Sequence, residues 1–189
     1  MPEFRLHLLR HGAPCEAGKM IGRTDCPSTQ EGIAACVAQA ADLDIRALVT
    51  SDLARARMAG DALAQAMDLP LTIDPRWREL DFGAWDGLAP ADIGMDALAP
   101  FWNDPEASPP PGGERWSAIV ARIQAAIAQL EPVDTLIVTH GGAIRAALAT
   151  LLGLDHRQVW TFDLPYAALL SLRIWPGDAP AAQIMGLRR

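Results

Sequence analysis

Two apolar runs of this chain end abruptly in a histidine followed by glycine. One run ends in Arg10-His11-Gly12 and the other in His140-Gly141-Gly142. An arginine offers a fork of N–H donors that fits phosphate, an imidazole nitrogen can attack phosphorus, and a glycine lets a bulky anion approach the backbone. Ligands of α/β proteins bind at the carboxyl ends of the strands. The pattern therefore indicates a phosphoryl-transfer site at which the two histidines converge.

Two further side chains have the chemistry that such a site needs. Arg55 lies in the first turns of a predicted helix, where the helix dipole stabilises an anion, although taken by itself it is better interpreted as a surface arginine. Glu79 lies among aromatic residues and glycines in the segment 78–87. A carboxyl group shielded by such rings can keep its proton and act as a general acid. Asp81 and Asp86 fit hydrogen bonding within a turn equally well.

The elements that must position these residues alternate between strand and helix, which predicts a parallel sheet covered on both faces. Predicted strands cover 4–9, 47–50, 71–73, 135–139 and 168–175, with an edge strand over 181–185. Predicted helices begin at caps Ser28 or Thr29 and Ser51 or Asp52, and further helices cover 116–130 and the residues up to 152. We interpret 13–27 as a flap over the site and 76–113 as an excursion within one domain, 1–189.

Composition and charge exclude several classes of function. The net charge of −7 argues against a nucleic-acid or anionic-membrane surface, and no apolar run approaches the roughly 20 residues of a membrane span. Cys15, Cys26 and Cys36 are odd in number and form no CxxC pair, which argues against disulfides and a thiolate metal site. The first five residues lack a basic targeting pattern and the cysteines suit a reducing compartment, so we expect a cytoplasmic protein. No clustered Asp, His and Cys pattern is evident, so we expect no metal or cofactor.

Five segments in order resemble the motifs of the histidine phosphatase superfamily, in its phosphoglycerate-mutase-like branch. The segments are Leu9-Arg10-His11-Gly12, 22–32 (similar to G-x-x-D-x-P-L-T-x-x-G), 51–56 (S-x-L-x-R-A), 78–87 (similar to R-E-x-x-F-G-x-W-E-G) and 139–142. The resemblance implies a three-layer α/β/α sandwich with a mostly parallel central sheet, as in phosphoglycerate mutase.

The resemblance also implies roles for the motif residues. His11 would attack phosphorus to form a phosphohistidine, and Glu79 would protonate the leaving oxygen and later deprotonate water. No metal would be needed, because two arginines and a protonated His140 supply positive charge. The phosphate- and substrate-binding set implied is Arg10, Gly12, Gly22, Arg55, His140 and Gly141.

The substrate is less closely defined than the reaction. Between Leu80 and Arg115 there are seven acidic residues and a single base, which favours a phosphatase over a mutase that binds a second anion. Trp77, Trp85, Trp102 and Trp116 could stack on an aromatic leaving group, and we expect at least half of them to pack in the core instead.

Within the family, the short length and motif forms are most similar to the α-ribazole phosphatases, which remove a 5′-phosphate in the nucleotide-loop assembly of cobalamin. The alternatives are a broad-specificity small-molecule phosphatase, a cofactor-dependent mutase-type phosphotransferase, and an inactive relative that binds a phosphorylated ligand. The expected partner is a small phosphomonoester, and the sequence leaves the oligomeric state open, a homodimer included.

Overall fold

A computed structural model describes residues 3–177 and 181–189, and it contains a six-stranded central sheet flanked by helices. The strands are β1 (Phe4–Arg10), β2 (Ala47–Thr50), β3 (Leu71–Ile73), β4 (Thr135–Thr139), β5 (Leu169–Trp175) and β6 (Ala181–Arg188). The helices are α1 (Gln30–Ala40), α2 (Ala54–Met67), α3 (Pro90–Ile93), α4 (Met95–Asn103), α5 (Trp116–Ile127), α6 (Gly141–Leu152) and α7 (His156–Trp160). Met1 and Pro2, part of the segment for which we expect no targeting pattern, lie outside the described residues.

The sheet has the order β3-β2-β4-β1-β5-β6. The first four of these strands are parallel, whereas β5 pairs antiparallel with β1 and β6 pairs antiparallel with β5. Strands β1 and β4 are neighbours, and Arg10 pairs with Thr139 at their common carboxyl end. The two histidines next to these strand ends therefore leave the sheet at the same edge, as the sequence predicts.

Each face of the sheet buries its own apolar cluster. Leu6 and Leu8 of β1 pack into the cluster beneath α5, α6 and α7, whereas Leu9 points to the opposite face, beneath α1 and α2. This alternation arises from the two-residue period of a strand. The result is the three-layer α/β/α arrangement expected from the sequence.

The structure corrects several predicted boundaries. The excursion 76–113 contains helices α3 and α4 and the 3₁₀ turn Gly83–Trp85, and a second 3₁₀ turn, Pro75–Trp77, overlaps its start. Helix α7 lies where the sequence predicts no helix. Helix α2 has Leu53 at its N-cap position, without a side-chain cap, because Ser51 and Asp52 bond elsewhere. Helix α1 is capped by Thr29, which accepts a hydrogen bond from the N–H of Gly32. The edge strand β6 continues to Arg188, beyond the predicted end.

The helices and the three cysteines were compared with what a membrane span and a reactive thiol require. In the described ranges no helix has the length and apolar character needed to cross a membrane. The thiols of Cys15, Cys26 and Cys36 are all free. Cys36 is buried, with its Sγ 3.7 Å from the carbonyl oxygen of Arg10. Burial raises the pKa of its thiol to about 12, so the thiolate is not available as a nucleophile.

Candidate active site

A cavity of about 230 Å³ opens at the carboxyl edge of the sheet. Its wall includes five of the residues singled out from the sequence, namely Arg10, His11, Arg55, Glu79 and Gly141. They come from the tip of β1, the start of α2, the irregular segment after β3 and the start of α6. The fold therefore collects in one place residues that are up to 131 positions apart in the chain.

His11 is held as a neutral imidazole with one nitrogen left free. Its Nδ1 lies 2.7 Å from the carbonyl oxygen of Gly12, so Nδ1 carries the hydrogen and donates it. Burial, reinforced by the charges of Arg55 and Arg10, lowers the pKa of His11 well below its ordinary value. The other nitrogen, Nε2, therefore keeps its lone pair at the cavity, and a lone pair is what a nucleophile requires.

His140 lies directly behind His11, with 5.1 Å between the ring centroids. It is completely buried, its Nε2 lies 2.9 Å from the hydroxyl oxygen of Ser51, and its Nδ1 has no partner within the described residues. Burial and then the charge of Arg55 lower the pKa of His140 well below its ordinary value. The imidazole is therefore neutral, which differs from the protonated form that the family resemblance implies.

Arg10 and Arg55 both line the cavity, and hydrogen bonds to backbone carbonyls anchor their guanidinium groups. Arg55 is 1% exposed and donates to the carbonyl oxygens of Ile21, Gly22 and Thr24 at 3.0, 2.8 and 2.9 Å. Arg10 donates to the carbonyl of Leu164 at 2.5 Å, and its Nε has no partner in the described structure. Since a guanidinium has five N–H donors, both retain donors for an anion.

Glu79 is 9% exposed, and backbone N–H groups fix its carboxyl group. Oε1 accepts hydrogen bonds from the N–H of Leu80 at 2.8 Å and from that of Gly142 at 2.9 Å. Oε2 accepts only a longer hydrogen bond, from the same N–H of Gly142 at 3.2 Å, so it is the less engaged oxygen and the one better suited to carry a proton. Asp81 instead accepts from Gly83 within a turn, and Asp86 accepts from the backbone of Arg23 and Thr24.

Gly12 and Gly22 do not line the cavity but permit close backbone packing around it. A β-carbon on Gly12 would lie 2.0 Å from the carbonyl oxygen of Gly32, and one on Gly22 would lie 2.4 Å from that of Leu80. Only a glycine fits at either position. Gly12 therefore brings the N-terminal end of α1 against the nucleophile, and Gly22 holds the 13–27 segment against the Glu79 segment.

Two cavity residues, Tyr166 and Arg145, carry no signal in the sequence and are absent from the predicted site. The ring centroid of Tyr166 lies 5.5 Å from that of His11 and 4.3 Å from the guanidinium carbon of Arg10. The next residue, Ala167, has a φ of +60°, an unusual value for alanine that marks a tight turn beside the site. Arg145 of α6 also lines the cavity, and it forms no salt bridge within the described residues. No local pattern marks either Tyr166 or Arg145 as part of a site.

Aromatic rings form the outer wall of the cavity. Trp102 and Trp116 line it, whereas Trp77 and Trp85 are buried in the core, which matches the expected division. Trp160 of the unpredicted α7 joins the wall, with its centroid 5.3 Å from that of Trp116 and 6.0 Å from that of Trp102.

The seven acidic residues between Leu80 and Arg115 do not line the cavity. Glu114 forms an ion pair with Arg122, and Asp81 lies 3.3 Å from Arg23. Within residues 3–177 and 181–189, no three His, Cys, Asp or Glu side chains are grouped so as to hold a metal ion. The arrangement offers a neutral nitrogen nucleophile, two anchored cations and a held carboxyl group, which suits phosphoryl transfer.

Comparisons with known proteins point to the same chemistry. A family model described as the histidine phosphatase superfamily (branch 1) matches residues 6–184. Glucosyl-3-phosphoglycerate phosphatase of Mycolicibacterium vanbaalenii is 34% identical over 170 residues, covering 79% of this chain and 75% of that protein. A probable phosphoglycerate mutase of Yersinia pestis is 32% identical over 168 residues, covering 80% and 76%. The solved α-ribazole phosphatase of Shigella flexneri superposes with a TM-score of 0.83 at 25% identity, covering 97% and 96%.

Proposed function

Because this chain belongs to branch 1 of the histidine phosphatase superfamily and is a phosphoric monoester hydrolase, we propose that it acts through a phosphohistidine formed on His11. The observation that carries the proposal is the hydrogen bond from His11 Nδ1 to the carbonyl of Gly12. It fixes the tautomer in which Nε2 has a lone pair at the cavity. No metal takes part in this scheme.

The proposed reaction has two steps, phosphorylation of His11 and hydrolysis of the phosphohistidine. In the first, Nε2 of His11 forms a bond to phosphorus, the ester P–O bond breaks, and Glu79 gives its proton to the leaving oxygen. In the second, Glu79 takes a proton from water, the water oxygen bonds to phosphorus, and the P–N bond breaks to release phosphate. Arg10 and Arg55 hold the non-bridging oxygens with their remaining donors, and His140 donates from its Nδ1.

Trapping of the intermediate tests this scheme. Acid-quench is unsuitable because a phosphohistidine is labile in acid, so the reaction with a ³²P-labelled monoester is stopped in alkali and detergent. We expect label on the wild-type chain and none on His11→Ala. Absence of both trapped label and turnover of every monoester tried would favour the alternative, an inactive relative that only binds a phosphorylated ligand.

We further propose that the leaving group is flat and aromatic, with α-ribazole 5′-phosphate as the first candidate. Three tryptophans, Trp102, Trp116 and Trp160, form the outer wall of the cavity together with Phe82 and Phe101. Such a wall suits stacking on a base-like ring. The likeness to the Shigella flexneri α-ribazole phosphatase supports this candidate without identifying the substrate.

A specific observation favours a second candidate, a leaving group that carries a carboxylate. Arg145 lines the cavity, is partly buried and forms no salt bridge in the described chain, so its charge is open to an acidic group. The Mycolicibacterium relative bears the name of a phosphatase for a glucosylated phosphoglycerate, a compound of that class. A broad-specificity phosphatase would accept both kinds of leaving group.

A substrate panel with two variants separates these candidates. We would compare kcat/KM for α-ribazole 5′-phosphate, glucosyl-3-phosphoglycerate, 3-phosphoglycerate, sugar phosphates and nucleotides. For an aromatic leaving group, Trp116→Leu lowers kcat/KM and Arg145→Gln leaves it nearly unchanged. For an acidic leaving group the pattern is reversed. Interconversion of phosphoglycerates without phosphate release would indicate the mutase-type alternative.

A further inference from the structure

A partly buried ion pair lies next to the segment that carries Glu79. The guanidinium of Arg122 grips the carboxylate of Glu114 with two hydrogen bonds, Nε to Oε1 at 2.8 Å and one terminal nitrogen to Oε2 at 2.9 Å. The two side chains are 17% and 12% exposed. Neither lines the cavity, so neither contacts a bound substrate.

The same guanidinium also binds the backbone just before the catalytic candidate and at that residue itself. One terminal nitrogen of Arg122 donates to the carbonyl oxygens of Arg76 at 2.6 Å and Arg78 at 2.8 Å, and the other donates to that of Glu79 at 2.8 Å. With the two bonds to Glu114, all five N–H donors of the guanidinium are used. A lysine cannot reproduce this set, because it has three donors on a single atom.

Glu114 holds the segment just beyond Glu79. The backbone N–H of Glu114 donates to the carbonyl of Asp81 at 2.9 Å, and Glu114 Oε2 accepts from the N–H of Asp81 at 3.3 Å. Residues 78–82 belong to no helix or strand. The ion pair therefore supplies the backbone hydrogen bonds that regular secondary structure would otherwise supply to this segment.

From these contacts we infer that Arg122 and Glu114 are positioning residues that hold Glu79 in place for proton transfer. A buried ion pair contributes little net stability compared with apolar packing, so its main effect is expected in geometry. Misplacement of a catalytic group by about 1 Å can cost about 100-fold in rate. The inference rests on the proposed role of Glu79 as the general acid.

Arg122→Lys tests the inference through its dependence on the leaving group. The kcat/KM value reports the phosphorylation step, in which an alkyl oxygen needs a proton and nitrophenolate does not. We expect Arg122→Lys to lower kcat/KM for an alkyl phosphate by at least about tenfold, a part of the roughly 10²–10⁴-fold that a general acid contributes. For 4-nitrophenyl phosphate we expect a loss below about threefold, and we expect the inhibition constant of inorganic phosphate to stay within about twofold of wild type. Equal losses on both substrates would overturn the inference.

A matched control lies on the same segment. Arg76 pairs with Asp74 and donates to the carbonyl of Ala125, and within the described residues its guanidinium forms no hydrogen bond with residues 78–81. Arg76→Lys should therefore leave the ratio of the two kcat/KM values unchanged. Glu114→Gln, which keeps the side-chain shape but removes the charge, should shift the ratio in the same direction as Arg122→Lys and covers the case in which Arg122→Lys fails to fold.

A double-mutant cycle separates this inference from the proposal beneath it. If Arg122 acts through Glu79, adding Arg122→Lys to Glu79→Gln should lower alkyl phosphate hydrolysis by no more than about twofold further. A full, independent tenfold loss in the Glu79→Gln background would overturn the inference. If Glu79→Gln alone slows both substrates equally, the proposed acid role of Glu79 has failed, and that result is obtained before Arg122 is changed.

Discussion

Replacing Gly142 by alanine should impair catalysis while leaving the fold intact. Gly142 is the second residue of α6, and its N–H donates to Glu79 Oε1 at 2.9 Å. A β-carbon there would lie 2.2 Å from that oxygen, where real contacts are essentially never below 3.0 Å. The carboxyl group must therefore retreat by about 0.8 Å, or lose the hydrogen bond that orients it.

The expected size of the effect can be worked out from this displacement. A shift of about 1 Å in a catalytic group can cost about 100-fold, so we expect kcat/KM for an alkyl phosphate to fall by between about 10-fold and 100-fold. Stability should not fall, because alanine exceeds glycine in helix propensity by up to about 1 kcal/mol. The assay is steady-state hydrolysis of an alkyl phosphate and of 4-nitrophenyl phosphate, with urea unfolding of the same samples.

Gly186→Ala is the control, because a β-carbon at Gly186 in β6 would have no neighbour within 4 Å. It should match wild type in both hydrolysis and unfolding. Full alkyl phosphatase activity in Gly142→Ala would refute the reasoning, since it would mean that the position of the Glu79 carboxyl group is unimportant. A loss accompanied by unfolding would also contradict it.

Burial and charge lead to three further predictions. The pKa values of His11 and His140 are lowered in the folded chain, so the unfolded chain binds more protons than the folded chain as the pH falls below about 6.5. The free energy of unfolding should therefore decrease on acidification. Urea unfolding between pH 7.5 and 5.5 should show a smaller decrease for His140→Gln than for wild type. Trp77→Ala should lower the free energy of unfolding by about 3–5 kcal/mol, because Trp77 is fully buried. Trp102 is 43% exposed, so Trp102→Ala should lower the free energy of unfolding by less than about 1 kcal/mol but raise KM for aryl phosphates. Equal unfolding midpoints for the two variants would contradict this. Gly12→Ala should destabilise the fold by about 1–3 kcal/mol or more, measured by thermal unfolding, because its β-carbon would meet the Gly32 carbonyl at 2.0 Å; wild-type stability would show that the two backbones can separate.

The parts of the fold that the sequence predicts well are the buried strands and the site residues at their carboxyl ends. The runs at β1 and β4 are apolar and short, and each stops at a histidine and glycine, so strand and site residue are visible together. Pairing of these two neighbouring strands then explains why His11 and His140 converge. Glu79 is also a candidate from the sequence, because neighbouring aromatic rings can shield a carboxyl group and help it keep its proton.

The parts that the sequence does not predict depend on tertiary contacts. Ser51 has the residue type of a helix cap, but its hydroxyl is taken by His140 from across the sheet edge. Tyr166 reaches the site from a turn whose Ala167 adopts a left-handed conformation that only the surrounding structure can impose. Arg145 lies one turn into the apolar helix α6. The sequence around an arginine that faces the cavity is the same as that around one that faces solvent, so the sequence does not distinguish the two.

The arrangement of the tryptophans makes the intrinsic fluorescence of the chain sensitive to ligand binding. Three of the six tryptophans, Trp102, Trp116 and Trp160, line the cavity, and the ring of Trp160 packs against those of the other two, while Trp77 is buried in the core. A ligand that enters the cavity changes the surroundings of the first three and not of the fourth. Intrinsic fluorescence can therefore report substrate and product binding without a label, at wavelengths where partly exposed indoles emit. Occupancy and turnover can then be followed in one cuvette, even with a substrate that yields no coloured product.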